Sequence, residues 1–196
     1  MEADWSVALA EDDPVIAVPW SAPGEDLGKC RFIDLRLDAR LIDEIEEVKQ
    51  RPELGSALLL LNGVGSTLWT AKCDAWTSSA EDGDASFDPY EMDAEPGETG
   101  FGAGSYIDLL ARDAQVGKTF AVQERWMRAV TERLRSAPAR GARVELVLRR
   151  AVVDDIPRFG VTWFVEGCGL TAARAGQRWG EALEHALAVI LETQLV

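Results

Sequence analysis

Apolar positions along this chain follow two rhythms, one of period two and one near 3.6, and the switches between them predict the elements. Pro14–Trp20 (PVIAVPW) is a short β-branched run that reads as a strand, with Pro19 confining it to a sheet edge. Arg31–Leu37 (RFIDLRL) alternates, placing Arg31, Ile33, Leu35 and Leu37 on one face. Leu37, Leu41, Ile42, Ile45 and Val48 then recur at helical spacing, with Asp43, Glu44, Glu46 and Glu47 opposite. Pro52 breaks that helix and opens a second one, which carries Leu54, Leu58 and Leu61 and ends at Asn62-Gly63. Ser66–Trp76 returns to period two: Thr67, Trp69, Ala71, Cys73 and Ala75 share one face, and Leu68, Thr70, Lys72, Asp74 and Trp76 the other. Ser105–Ala111 is a further strand. Residues 118–136 form a helix with Trp126, Met127, Val130 and Leu134 on its stripe. Arg143–Val153 and Arg158–Cys168 read as a hairpin joined by Asp154–Pro157. Thr171–Leu195 is a long helix with Trp179, Leu183, Ala186, Leu187 and Ile190 on its stripe.

The order strand, strand, helix occurs three times. Val18-Pro-Trp20 followed by Phe32-Ile-Asp-Leu35 parallels Asp74-Ala-Trp76 followed by Tyr106-Ile-Asp-Leu109. The expected fold is α+β: a mostly antiparallel sheet with helices on one face and a (ββα) order repeated three times. Residues 1–13 are expected to be a loose acidic arm. Residues 14–196 are expected to form a single domain, with an acidic loop inserted at 77–104. From residue 38 onward, the order helix, two strands, helix, two strands, helix and the low isoelectric point resemble those of small acidic bacterial secretion chaperones.

Charge narrows the function classes. The 196 residues carry a net charge of −14, which argues against nucleic-acid binding, because phosphate contacts need a basic surface. The charge is uneven: −17 over residues 1–111 and +3 over residues 112–196. Such polarity can steer association with a basic partner or a second copy. Arginine outnumbers lysine 16 to 4, a bias associated with GC-rich bacterial genomes. The N-terminus has no basic region followed by an apolar core, and the longest apolar run, Ala186–Leu191, is too short to span a bilayer. A cytoplasmic protein without membrane association is expected. Cys30, Cys73 and Cys168 are widely spaced and read as buried free thiols.

Few chemistries are supplied. The single histidine, His185, lies toward the polar side of the last helix, so a multi-histidine metal centre within one chain is excluded. Cys168 is the best-placed thiol, at a strand end before a helix. Gly100-Phe-Gly-Ala-Gly104 leads into a strand rather than a helix, so it reads as a hinge and not a phosphate loop. The segment Asp82-Gly-Asp84, Asp88, Glu91 has oxygen ligands but not the spacing of a calcium loop. No cofactor and no metal are expected.

The polar halves of the strands define the candidate site. Asp34 and Arg36; Thr70, Lys72, Asp74 and Trp76; Tyr106 and Asp108; Arg143, Glu145 and Arg149; Thr162 and Glu166 would share the face away from the helices. Within it, Lys72, Asp74, Trp76, Tyr106, Asp108, Arg149 and Glu166 are the candidates for contact with a partner protein or small ligand. Trp20 and Trp76 are the tryptophans placed for stacking. The leading expectation is a non-enzymatic binding protein that uses this face and the acidic loop. The alternatives are a small enzyme using Asp74 and Asp108 as an acid–base pair and a purely structural subunit. A homodimer is also expected, because residues 186–191 are apolar all round and one sheet covers only one side of a helix.

Overall fold

The computed structural model describes residues 1–20, 32–79, 100–137 and 139–195. Six strands form one sheet: β1 (Glu2–Ala8), β2 (Ile16–Val18), β3 (Leu68–Ser79), β4 (Phe101–Ala111), β5 (Ala142–Val153) and β6 (Ile156–Gly169). The order is β1-β5-β6-β4-β3, with β2 also on β5. The pairs β3–β4, β4–β6 and β5–β6 are antiparallel, while β1 and β2 run parallel to β5. The fold is α+β with a mostly antiparallel sheet.

The N-terminal segment departs from the loose arm expected over 1–13. Its first residues are a strand, with Glu2–Ala8 in register with Arg143–Arg149. Ala3 is buried in the main core and Trp5 packs against it, while Glu2, Asp4 and Ser6 take the other face. β2 then continues along the same edge, opposite Ala151–Val153. Between them the chain turns out of the sheet, and the Arg150 guanidinium donates to the Ala10 and Glu11 carbonyls of that turn.

Arg31–Leu37 is not the strand its alternation predicts; Arg31 lies outside the described residues, and residues 32–38 include no strand. Asp34 accepts hydrogen bonds from the Arg36 backbone and guanidinium, and its own carbonyl accepts from the Leu37 and Asp38 N–H groups. This local side-chain bonding closes a turn that competes with extended pairing. Leu35 is buried and Leu37 is 85% exposed. The threefold (ββα) repeat is therefore not shown: of the two strands expected in the first unit, one is β2, on the edge beside β5, and the described part of the other is not a strand, whereas β3–β4 and β5–β6 are hairpin pairs.

The helix predicted from Leu37 to Val48 is split into a 3-10 turn, Ala39–Glu44, capped by Asp38, and α1 (Glu46–Gln50). Next come α2 (Pro52–Asn62), with Pro52 in its first turn, α3 (Ala114–Gly117), α4 (Phe120–Arg135) and α5 (Ala172–Glu192). All lie on one face of the sheet. The main core joins Leu54, Leu58 and Leu61 of α2, Trp126, Met127 and Val130 of α4, and Trp179, Leu183 and Ala186 of α5 to Ile107, Leu146, Trp163 and Val165. The fit is close enough that a Cβ at Gly167 would stand 2.4 Å from the Trp179 backbone nitrogen.

A second, smaller core occupies one end of the opposite face. Ile16 and Val18 fold over Trp69, Ala71, Leu110, Ala151 and Val153, with Phe32 at the side. Arg36 lies flat on the Trp69 ring, 3.6 Å from its centroid. The face opposite the helices is therefore apolar and covered at one end, and polar beyond it.

Candidate functional site

A β-bulge sets the composition of the polar region. Thr70 pairs with Leu109 but Cys73 pairs with Ile107, so Ala71 and Lys72 together oppose Asp108. Strict alternation puts Thr70, Lys72, Asp74 and Trp76 on one face, but the extra residue breaks that parity. Thr70 points to the helices, where Asn62 of α2 bonds both its hydroxyl, at 2.7 Å, and its backbone N–H. After the bulge, Cys73 and Ala75 pack toward the main core. Lys72 turns to the polar face.

Four of the seven predicted site residues converge across four strands. Thr162 of β6 donates to the Asp108 carboxylate at 2.7 Å and accepts from Arg149 Nε of β5 at 2.8 Å. Lys72 of β3 and the Tyr106 hydroxyl of β4 are close enough to shift each other's pKa. Asp108 is only 8% exposed. Its burial raises its pKa above the ordinary carboxylate value, although Thr162, Arg149 and Lys72 oppose that shift. Burial would lower the Lys72 pKa, but Tyr106, Asp108 and Asp74 outweigh it and raise it. Burial likewise raises Tyr106, against the pull of Lys72. The Tyr106 ring meets Phe164 at 5.9 Å between centroids.

Asp74 faces Tyr106 across β3–β4, is exposed, and accepts from the Ala75 N–H. Trp76 and Glu166 belong to a separate group. Both stand opposite Gly104, and the Trp76 indole lies so close that a Cβ there would meet the ring at 2.5 Å. Four residues separate Glu166 from Thr162, about 13 Å along a strand. Trp20 is half-buried, donates its indole N–H to the Ala71 carbonyl, and carries Lys72 over its ring at 5.6 Å. Asp34 and Arg36 reach the polar side through the Trp69 stack rather than as a strand. Thr162, read only as one polar position among many, is the bridge of the cluster. Phe164 was missed, although alternation with Thr162 and Glu166 places it on the same face.

No protein-family model, curated protein or solved structure matches this chain. The site therefore stands on its own geometry. Among the described residues, no three His, Cys, Asp or Glu side chains come together as metal ligands, and no helix is long and apolar enough to cross a membrane. Residues 80–99 of the expected acidic loop, with the calcium-like segment and Cys30, lie outside the described residues. The flanks of that loop are strand: Trp76–Ser79 and Phe101–Gly104 pair with each other, so the Gly100–Gly104 hinge is instead almost wholly sheet. Cys168 lies within β6 and is fully buried. Burial pushes the Cys73 thiol up to about 12. His185 is exposed. A depression of about 510 Å³ lies away from the polar cluster, lined by Ser66, Thr67, Ala111, Arg112, Asp113, Val116 and Leu195.

Proposed function

We propose that this is a cytoplasmic, non-enzymatic binding protein whose polar sheet face takes a partner protein or small ligand. The observation that carries the reading is the Arg149–Thr162–Asp108 chain beside the Lys72–Tyr106 pair. Arg149, Thr162 and Asp108 are held by one another across β5, β6 and β4, which fixes their positions in advance of any contact. Asp74 and Lys72 are exposed next to them, and Trp76 and Phe164 offer ring surface alongside.

The test uses the full chain with a photo-crosslinking residue in place of Asp74, recovered from its host cells and compared with the same chain carrying Lys72→Glu and Trp76→Ala. The expected result is a crosslinked protein or co-purifying small molecule that the double variant loses while keeping its melting temperature. The same adducts on both chains, or none on either, would overturn the reading.

One observation favours a small enzyme instead: the raised carboxyl of Asp108 lies beside an ammonium and a phenol. Once a ligand is in hand, Asp108→Asn separates the two. Binding survives under the first reading, because asparagine keeps an acceptor for Thr162. Under the second, turnover is lost while binding persists.

A further inference from the structure

We propose that the polar face takes its partner through an arginine or lysine of a basic protein segment, stacked on Trp76 and paired with Asp74, an inference that rests on that face being the binding surface. Residues 186–191, the ground for expecting a homodimer, supply no comparable surface: Ala186, Leu187, Val189 and Ile190 are buried within the chain.

One surface ring lacks a cation. Trp5, Trp20 and Trp76 are the half-buried tryptophans, and two of them carry a cation of the chain's own: Arg128 lies over Trp5 at 4.6 Å and Lys72 over Trp20 at 5.6 Å. Even the buried rings of Trp69 and Trp179 are stacked in this way, by Arg36 and Arg51. Trp76 has no such partner among the described residues. Its inner side is occupied, because Cε2, Cζ2 and Nε1 all come within 2.8 Å of where a Gly104 Cβ would be. The ring therefore lies flat over Gly104, and its opposite side faces away from the sheet. A ring face attracts a cation through its quadrupole, and arginine fits best, since a stacked guanidinium still donates from its edge.

The strand registers fix the charge around that ring. From β1 across to β3, one row of this face reads Glu2, Arg143, Glu166, Gly104, Trp76, and the next reads Asp4, Glu145, Phe164, Tyr106, Asp74. Arg143 answers Glu145 at 3.5 Å and stands opposite Glu166, while Arg135 of α4 answers Asp4 at 3.0 Å. Lys72 is shared among Trp20, Tyr106, Asp108 and Asp74. With Asp108 and Arg149 counted too, six carboxylates face four cations, and the balance is negative. Asp74 is the carboxylate placed for the ring. It stands two residues before Trp76, about 7 Å along β3, is exposed, and uses Oδ1 on the Ala75 N–H, which leaves Oδ2 for an incoming donor.

The spread of these charges selects a protein segment over a free small cation. Glu2 and Trp76 end a row of five strands and stand about 19 Å apart, which an extended chain spans in about six residues. A single small cation reaches only one end. The net charge of −14 draws a basic segment in at long range.

Fluorescence anisotropy of a labelled peptide of about ten residues, alternating arginine and serine, tests this on the full chain. The expected result is saturable binding that weakens as salt rises, with no binding of the matching glutamate–serine peptide. Asp74→Lys should raise the dissociation constant at least about tenfold and Trp76→Ala at least about fivefold. Trp76→Phe, which keeps a ring over Gly104, should recover most of that loss. Asp74→Lys alters an exposed side chain, so it decides the matter even if Trp76→Ala unfolds the chain. Glu181→Lys, exposed on α5, changes the net charge equally and should alter binding less than about twofold. Free arginine at about 1 mM should leave the peptide bound, because it makes only one of the contacts. Absence of binding, equal weakening by Asp74→Lys and Glu181→Lys, or displacement by that free arginine would each overturn the proposal. Adducts from the Asp74 position to a partner without basic residues would overturn this inference alone, whereas no adduct at all would overturn the reading of the face as well.

Discussion

The two hairpin pairs of the sheet, β3–β4 and β5–β6, are built from strands of similar length but take their register from different sources. In β5–β6 the strands meet through Asp154-Asp155, both with positive φ, 50° and 62°. That backbone matches the right-handed twist of the strands it joins, and pairing then runs unbroken from Val153–Ile156 to Ala142–Gly167. In β3–β4 the pairing shifts at a bulge, and the residue just before it is anchored from outside the hairpin, by Asn62 of α2. A register set locally keeps its alternation from end to end. One set by a helix contact can change parity midway, and here the change brings Lys72 to the polar face.

Gly167→Ala should have the largest effect. Its Cβ would stand 2.4 Å from the Trp179 nitrogen and 2.7 Å from the Ala175 carbonyl, both backbone atoms that cannot turn aside. A loss of at least about 3 kcal/mol is expected in denaturant melts. A loss below 1 kcal/mol would show that α5 can lift off β6 cheaply and that this hairpin is less rigid than its pairing implies.

Asn62→Ala should cost about 2 kcal/mol, because the buried Thr70 hydroxyl and N–H both lose their partner. Amide exchange should speed up at Thr70 and around the bulge while β5–β6 keeps its protection. Uniform acceleration across both hairpins would mean that their registers are not set separately.

Asp155→Gly relieves a left-handed backbone at φ 62° and should stabilise the chain by about 0.5–1 kcal/mol. Destabilisation would show that the aspartate side chain, rather than the turn geometry, sets the β5–β6 register.

The smallest effect is a slope against pH. The raised Asp108 pKa means that the folded state keeps this proton to a higher pH than the unfolded chain does. Its contribution to stability is therefore full below the ordinary carboxylate pKa and is lost as pH rises through the folded value. Asp108→Asn removes the term, so the stability of the variant relative to the native chain should rise with pH across that window. Denaturant melts at a series of pH values check it, and a flat or falling difference would count against a buried, desolvated carboxylate. Asp74→Asn, on an exposed side chain, should shift stability by no more than about 0.5 kcal/mol at any pH.

The sequence by itself determined the elements whose signals are local. Pro52 and Asn62-Gly63 bound α2, the stripes of α4 and α5 are legible residue by residue, and the β5–β6 alternation is nearly unbroken. The signal for β1 was present too: Ala3, Trp5 and Val7 alternate with Glu2, Asp4 and Ser6, hidden by an acidic composition that reads as solvated. Of the site, Tyr106, Asp108 and Arg149 were legible because period two assigns a face without reference to anything distant, and Lys72 because it keeps period two with Asp74 on its own side of the bulge. Only the tertiary structure decided the rest. Asp34 turns the chain where RFIDLRL alternates like a strand, because its carboxylate bonds the Arg36 N–H. Thr70 joins the helix side because Asn62 is there to bond it. Trp76 and Glu166 part from the Asp108 cluster because register along a strand, not membership of a face, sets distance. Alternation says which way a side chain points, whereas bulges, buried partners and register depend on atoms that the local sequence does not contain.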